Sequence, residues 1–351
     1  MPTELIASRP GVVAFRDCTL PVLGPHGIRV RSLYGSPKHG TEMAQFEGYG
    51  AARGGFDPAY RVWMPDEPGL DYPVSFDYPV LLGNTCVGEI VEIGSNVTRF
   101  DVGDHVFRLS PLRTEHIWPD DERTRLLPAV VSWKAALALD PAFFALDAVR
   151  DGQVRVGDSV AVFGMGAIGT MAVQFAKRSG AYPVIAVDPL ELRREVALEV
   201  GADIALDPVA CDVGREIKAA TEKRGADACI EYSGTVDGMA HALRGVAYGG
   251  IVVSGAWPAA YPAGLDFGAE AHMNRARIVF ARSCSDPNPD HPRWNQQRVW
   301  DAAWRMLVAG EVTGDPIVQP TVPFDDLLTW YPRISSDPGS MVKLGVKFAT
   351  E

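Results

Sequence analysis

The sequence contains no CxxC pair, and its five cysteines, Cys18, Cys86, Cys211, Cys229 and Cys284, are widely separated. That spacing excludes a four-cysteine structural zinc lobe and a dithiol redox centre. An odd count without regular spacing predicts a reducing compartment, the cytoplasm. No apolar run approaches the roughly 18 residues that a membrane span needs. The stretch "MPTELIASRPGVVAF" does not read as a secretory signal, because Glu4 and Pro10 interrupt any apolar core. Basic clusters are missing as well. Net charge is −11 and the Lys and Arg residues are scattered, so neither nucleic acid nor an anionic membrane is expected as a partner. Repeats and low-complexity tracts are absent too.

What is present reads as an ordinary globular chain, 47% hydrophobic and 22% charged. At 351 residues it is long for one core, so two domains are expected. The first 130 or so residues carry short β-branched segments, "GIRVRSLYG", "VGEIVEIG" and "DHVFRL", bounded by turn residues. The polar and aromatic stretch between Gly48 and Pro79 lacks periodicity and is long for a plain connection, which predicts a lid or a substrate wall, with a packed loop as the alternative.

From about residue 152 the pattern alternates. "SVAVFG" and "PVIAVD" are short continuous apolar runs, as in strands buried on both faces. Between them Ile168, Met171, Ala172 and Phe175 recur at helical spacing, and Gly180 can end that helix. "LELRREVALEVG" gives a second helix. "DIALD", "DACIEYSG", "GGIVVSGAW" and "RIVFARS" complete six parallel strands of a doubly wound sheet. A helix in "NQQRVWDAAWRMLVAG" then leads to "PIVQPTVPF" and "VKLGVKF", which can return to the N-terminal part. The expected organisation is an α/β chain with a β-rich catalytic domain (1–151 and 296–351) and an inserted dinucleotide-binding domain (152–295), the active cleft lying between them.

"VAVFGMGAIGTMAVQFA" places Gly164, Gly166 and Gly169 as G-x-G-x-x-G after a buried strand and at the head of a helix. Asp188 follows 19 residues after Gly169. Alone the glycines are a weak signal; in this context they predict a dinucleotide site. Gly164 permits the tight turn, Gly166 lets the backbone approach a pyrophosphate, and Gly169 lets helix and strand pack. The helix N-terminus offers N–H groups to the phosphates, and Asp188 can accept two hydrogen bonds from an adenosine ribose. A 2′-phosphate about 4 Å from that carboxylate would be repelled by ~4 kcal/mol at an effective dielectric near 20, so NAD is expected over NADP unless Arg193 or Arg194 neutralises the charge. Ala167, Ile168, Arg193, Ser233 and Gly255 complete the expected cofactor-binding set.

With these features the chain resembles the medium-chain dehydrogenase/reductase superfamily over essentially its whole length. The resemblance rests on "HGTEM", "LLGNTCVGEIVEIGSNVTRFDVGDHV", "GMGAIG…D", "GGIVVSGA" and "VKLGVKF". It implies a GroES-like catalytic domain beside a Rossmann domain, and the "GMGAIG" loop and "LDPAFFALDAVRDGQVRVGDSV" look closer to alcohol and polyol dehydrogenases than to NADPH-dependent quinone and enoyl reductases. Zinc members usually show Cys-Gly-Thr-Asp where this chain has His39, Gly40, Thr41 and Glu42. They show Gly-His-Glu where it has Gly83, Asn84 and Thr85, and polyol members show Glu-Pro where it has Asp140-Pro141. A catalytic zinc needs about three Cys, His or carboxylate ligands. His39 and Asp140 qualify, Asn84 is a poor ligand, Cys86 is expected to point away along its strand, and Glu42 would have to rotate in. The expectation is an oxidoreductase without catalytic zinc.

Without a Lewis acid, donors and an acid/base must handle the substrate proton. The resemblance assigns these roles to His39 as acid/base, Asp140 orienting its ring, Thr41 relaying the proton and Asn84 donating to the substrate oxygen, with Lys38 as a second acid. The plain structural readings are a hydrogen-bonded His39, a turn Asn84, an Asp140 that caps the helix "PAFFALDAVRDG" and a solvated Asp147. Glu42, Trp63, Tyr72 and Asn84 favour a hydroxylated substrate such as a polyol, cyclitol or sugar. The competing functions are a zinc-free reductase of an activated double bond and a non-catalytic NAD-binding protein. "ARIVFARS" at a sheet edge can pair with its copy, giving a homodimer or homotetramer.

Overall fold

The computed structural model describes residues 1–49, 55–57, 59–64, 77–257, 261, 263–283 and 292–349. The chain forms two compact units. The first comprises Met1–Leu137, Thr321–Pro338 and Leu344–Glu351; the second comprises Ala138–Pro320 and Gly339–Lys343. Most of the 48–79 stretch lies outside the described residues, Tyr72 included, so neither the lid nor the wall expected there is described. What is described is a short antiparallel pair, Gly55–Asp57 with Val62–Met64, in which Trp63 meets Phe56 edge to face at 5.4 Å.

The first unit is β-rich because its segments alternate and are bounded by turn residues. Strand β1 (Gly27–Ser36) runs antiparallel to β2 (Thr85–Ile93), with Ser36 opposite Thr85, and β2 pairs with β3 (His105–Leu109). Ile28, Val30, Val87, Ile90 and Val106 fill the interior between them, each at most 1% exposed. After β1 the chain makes a turn and enters helix α1 (Thr41–Glu47), which ends at Gly48 in a left-handed conformation. These are the strands expected from the sequence.

The second unit begins with helix α2 (Trp133–Asp151), most of which belongs to it. Then follow β4 (Val160–Phe163), α3 (Ala167–Arg178), β5 (Val184–Val187), α4 (Glu191–Glu199), β6 (Ile204–Leu206), α5 (Val213–Ala220), β7 (Ala226–Glu231), α6 (Val236–Gly245), β8 (Val246–Ser254) and β9 (Arg277–Phe280). The six strands form one parallel sheet in the order β6-β5-β4-β7-β8-β9. Every residue of β4 and β5 is buried, which is why both read as unbroken apolar runs rather than alternating ones. Helix α3 buries Met171, Ala172 and Phe175, the face its periodicity marked out.

The compact units divide at 137/138 and 320/321, with Gly339–Lys343 also in the second; the boundaries expected from composition are 151/152 and 295/296. Helices α2 and α7 (Gln296–Val308) lie with the parallel sheet, and Phe143 of α2 stacks on Trp300 of α7 with centroids 4.4 Å apart. A composition change locates a domain by its strands and says little about the flanking helices. Asp140 is not a helix cap. It sits inside α2, 4% exposed, with Pro141 following it within the helix. Pro141 removes the N–H that would reach the Leu137 carbonyl, yet the helix continues because its apolar faces are buried on both sides of the break.

Candidate functional site

In the second unit, β4 ends at Phe163 and the chain turns at Gly164 with φ +83°. A Cβ at Gly164 would stand 2.5 Å from the Ser233 nitrogen, and one at Gly169 would stand 1.9 Å from the Gly164 carbonyl oxygen. Both positions therefore exclude any side chain. At Gly166 a Cβ would meet nothing within 4 Å: this is the side of the loop that a pyrophosphate can approach. Gly166 also precedes α3 without a side-chain cap, so the N–H groups of Ala167 and Ile168 face outward from the helix start.

Asp188 follows β5 at the carboxyl end of the sheet and is 3% exposed. One carboxylate oxygen accepts the Met165 N–H at 2.7 Å and the other accepts the Leu190 N–H at 2.8 Å. Each oxygen keeps a second lone pair, so a ribose would share these oxygens with the loop. The Arg193 guanidinium lies 3.9 Å from Asp188 Oδ2. Burial pulls the Arg193 pKa down, and the Asp188 charge opposes that pull. Arg194 turns elsewhere, donating to the Asp188 carbonyl at 2.9 Å and pairing with Asp207 at 3.3 Å. Of the two arginines, Arg193 is thus the one whose guanidinium stands beside the Asp188 carboxylate. Ser233 and Gly255 also stand at the carboxyl ends of their strands, where Gly255 donates to the Glu231 carbonyl at 3.0 Å.

In the first unit, the ends of β1 and β2 bring Asn84 beside the segment that carries His39. Asn84 N–H donates to the Ser36 carbonyl at 3.0 Å, and its side-chain amide reaches Thr85 Oγ1 at 3.4 Å. Four further bonds fix the 36–42 segment. Ser36 Oγ donates to the Leu344 carbonyl at 2.9 Å. His39 Nε2 accepts the Leu344 N–H at 3.0 Å. Glu42 accepts the Tyr331 hydroxyl at 2.5 Å and the Lys38 N–H at 3.1 Å. Thr41 opens α1 and is half-buried.

The Nε2 bond fixes His39 as the tautomer with its proton on Nδ1, an assignment from the hydrogen-bond network. Protonating Nε2 would break that bond and leave the Leu344 N–H without it. His39, Thr41 and Asn84 therefore share one unit and one strand end, whereas Asp140 belongs to the second unit. Asp147 is buried, 4% exposed, and not solvated, and its charge acts on the Tyr232 phenol.

The donors of the first unit match zinc poorly. The single lone pair of His39 Nε2 is taken by the Leu344 N–H, each Glu42 oxygen already accepts one hydrogen bond, and Asn84 offers an amide. Cys86 is fully buried, its Sγ 3.2 Å from the Pro111 carbonyl, and burial pushes its thiol up to about 12, far from a thiolate. Among the described residues no group of three or more His, Cys, Asp or Glu side chains could hold a metal ion.

Tyr331, Leu344 and Ser36 carry this arrangement and have no signature in the sequence; only proximity in the fold reveals them. Tyr331 is fully buried, and burial, with the Glu42 charge behind it, pushes its phenol well above the usual range, so it remains a donor. Tyr331→Phe is expected to cost about 1–3 kcal/mol of stability, the cost of leaving a buried carboxylate short of a donor. An unchanged denaturant midpoint at constant slope would show that this bond contributes nothing.

Residues 61–123 match the family described as alcohol dehydrogenase GroES-like domain, and residues 167–289 match the family described as zinc-binding dehydrogenase. The latter match includes none of His39, Thr41 and Asn84. D-guloside 3-dehydrogenase of Escherichia coli is 40% identical over 98% of this chain and 99% of its own. Among solved structures, 2R,3R-butanediol dehydrogenase of Bacillus subtilis superposes with a TM-score of 0.76 at 21% identity, over 99% of both chains. A structure from Sinorhizobium meliloti described as a zinc-binding dehydrogenase bound to NADP gives 0.74 at 20% identity, again over 99% of both. At those identities the two structures speak for the fold.

Proposed function

The chain belongs to the medium-chain dehydrogenase/reductase superfamily as an alcohol- and polyol-dehydrogenase-like oxidoreductase, and from that premise we propose that it interconverts a secondary alcohol and a ketone on a glycoside, polyol or cyclitol, using NAD and no catalytic zinc. The observation that carries the substrate class is the 40% identity, over the whole chain, to D-guloside 3-dehydrogenase. The donor set described above supports the zinc-free reading.

Bound NAD⁺ supplies the acceptor for the hydride leaving the carbinol carbon. The hydroxyl on that carbon must lose its proton as the hydride departs. We assign to His39, whose Nε2 accepts the Leu344 N–H, the role of a donor whose Nδ1–H polarises and steadies the substrate oxygen, in place of the expected acid/base role. Asn84, held by the Ser36 carbonyl, adds a second donor from its side-chain amide. Thr41 relays the proton through its hydroxyl, accepting it from the substrate and passing its own to solvent water. Gly164, Gly166, Ala167, Ile168, Gly169, Asp188, Arg193, Ser233 and Gly255 hold the dinucleotide. Strand β9 has a neighbour on one side only among the described residues, and Phe280 on it is 77% exposed; we assign this edge to pairing with a second copy of the chain.

The test combines three measurements on the purified protein: elemental analysis for zinc, titration with NAD⁺ and NADP⁺, and a screen of glycosides, polyols and cyclitols followed by nicotinamide absorbance. Turnover of a ring or chain hydroxyl with NAD⁺, unchanged by a chelator, is expected. Stoichiometric zinc whose removal abolishes turnover overturns the zinc-free part. Turnover confined to enones with NADPH overturns the substrate class.

A further inference from the structure

Glu231 is a buried carboxylate, 0% exposed, that closes β7 after the buried run Ala228, Cys229 and Ile230, and it has no role in the reaction as described so far. Its place in the sheet is specific. The chain leaves β4 toward β5 on one side and returns to β7 on the other, so the carboxyl ends of β4 and β7 bound the crevice where a doubly wound sheet takes its ligand.

All its hydrogen-bond partners are neutral donors from the next turn. Glu231 Oε1 accepts the Ser233 N–H at 2.6 Å, the Ser233 hydroxyl, and the Gly234 N–H at 3.1 Å; Oε2 lies 3.3 Å from the same Gly234 N–H. Such a nest of donors around a buried anion defines the position of the turn. Ser233 is in turn wedged between two positions that lack side chains. A Cβ at Gly164 would stand 2.5 Å from its nitrogen, and a Cβ at Gly238 would stand 2.1 Å from its Oγ. The turn is completed by Tyr232 N–H donating to the Phe163 carbonyl at 2.8 Å and by Thr235 capping α6 through Gly238 N–H at 3.0 Å.

We propose that Glu231 is a positioning residue of the dinucleotide site, drawing Ser233 and the 232–235 turn onto the Gly164 loop and so setting one wall of the crevice. This rests on the nicotinamide-dependent reading above. Burial pushes the Glu231 pKa up, against the pull of the Ser233 and Gly234 donors. As pH falls through that raised value the carboxyl gains a proton, becomes itself a donor, and opposes the N–H groups it had accepted. The turn then loosens and dinucleotide affinity falls in acid. The groups acting on this region from neighbouring elements are the Tyr232 and Tyr261 phenols, and Asp147 and Asp151 of α2, which act on Tyr232. Both phenols are pushed upward and stay neutral in that range. The two aspartates are unaltered in Glu231→Gln, so an acid limb of theirs would survive that substitution.

The experiment is a calorimetric titration of the full chain with NAD⁺ between about pH 5 and about pH 8, with circular dichroism as a check of folding. Wild type is expected to bind more weakly in acid. Glu231→Gln is expected to bind about tenfold more weakly at neutral pH and to lose the acid limb, because an amide presents an N–H to Gly234 at every pH. Gly238→Ala, whose Cβ would stand 2.1 Å from Ser233 Oγ and 3.0 Å from Glu231 Oε1, displaces Ser233 and leaves the carboxyl free to titrate, so it is expected to weaken binding and keep the limb. Wild-type affinity in Gly238→Ala, or an unchanged affinity or acid limb in Glu231→Gln, overturns the proposal, and the glycine variant decides it if the glutamate variant does not fold. A wild-type chain that binds neither NAD⁺ nor NADP⁺ overturns the cofactor reading itself.

Discussion

His39→Gln is expected to cut turnover about a hundredfold while leaving NAD⁺ affinity and the melting temperature close to wild type. The expectation comes from separating two jobs that one ring does. Nε2 accepts the Leu344 N–H, and the carbonyl oxygen of a glutamine can reach that same position. The anchor survives, and the Nδ1–H donor is lost. Removing one preorganised donor to a developing oxyanion costs about 10²–10³ in rate, equivalent to roughly 2.7–4 kcal/mol. His39→Ala loses both, so it should show a comparable drop in turnover together with about 1–3 kcal/mol of lost stability from the Leu344 N–H it leaves behind. NAD⁺ affinity, measured by direct titration, serves as the control because the cofactor loop lies in the second unit. Full turnover in His39→Gln would reduce the histidine to an anchor and move the chemistry to Thr41 and Lys38.

The parallel sheet was legible because burial on both faces leaves no alternation to misread, and because glycine spacing in "GMGAIG" answers to steric demands that the structure makes explicit at Gly164 and Gly169. The strands of the first unit were legible from turn residues for a similar reason. What could not be read is long-range. Asp-Pro looks like a helix start in any short window, and only tertiary burial explains why α2 runs straight through Asp140-Pro141. The catalytic roles were inferred from positions in "KHGTEM", but the state of the histidine depends on a backbone N–H at Leu344, over 300 residues away, and the state of Glu42 on Tyr331. Glu231 did leave a signal: an acidic residue closing the apolar run "ACI" must be satisfied by something nearby. That signal identifies the residue and cannot identify its partners.

The second large effect concerns the choice of dinucleotide. Asp188 alone would repel a 2′-phosphate about 4 Å away by ~4 kcal/mol at an effective dielectric near 20, close to a thousandfold. That figure treats the carboxylate as an isolated charge. Arg193 lies 3.9 Å from Oδ2, and its guanidinium would attract the same phosphate. The two contributions have opposite sign and similar range, so wild type is expected to favour NAD⁺ by only about tenfold to a hundredfold, with each tenfold about 1.4 kcal/mol. Asp188→Asn removes the repulsion and leaves the Arg193 guanidinium without that opposing carboxylate, so the ratio of NAD⁺ to NADP⁺ affinity should shift by a hundredfold or more toward NADP⁺. Arg193→Gln should shift it the other way, sharpening the preference for NAD⁺ by about tenfold. Direct titration of both dinucleotides against the three proteins measures each ratio without depending on a known substrate. If Asp188→Asn keeps the wild-type margin, the selection is made by groups other than this ion pair, and the buried carboxylate serves only to hold the Met165 and Leu190 N–H groups it already accepts.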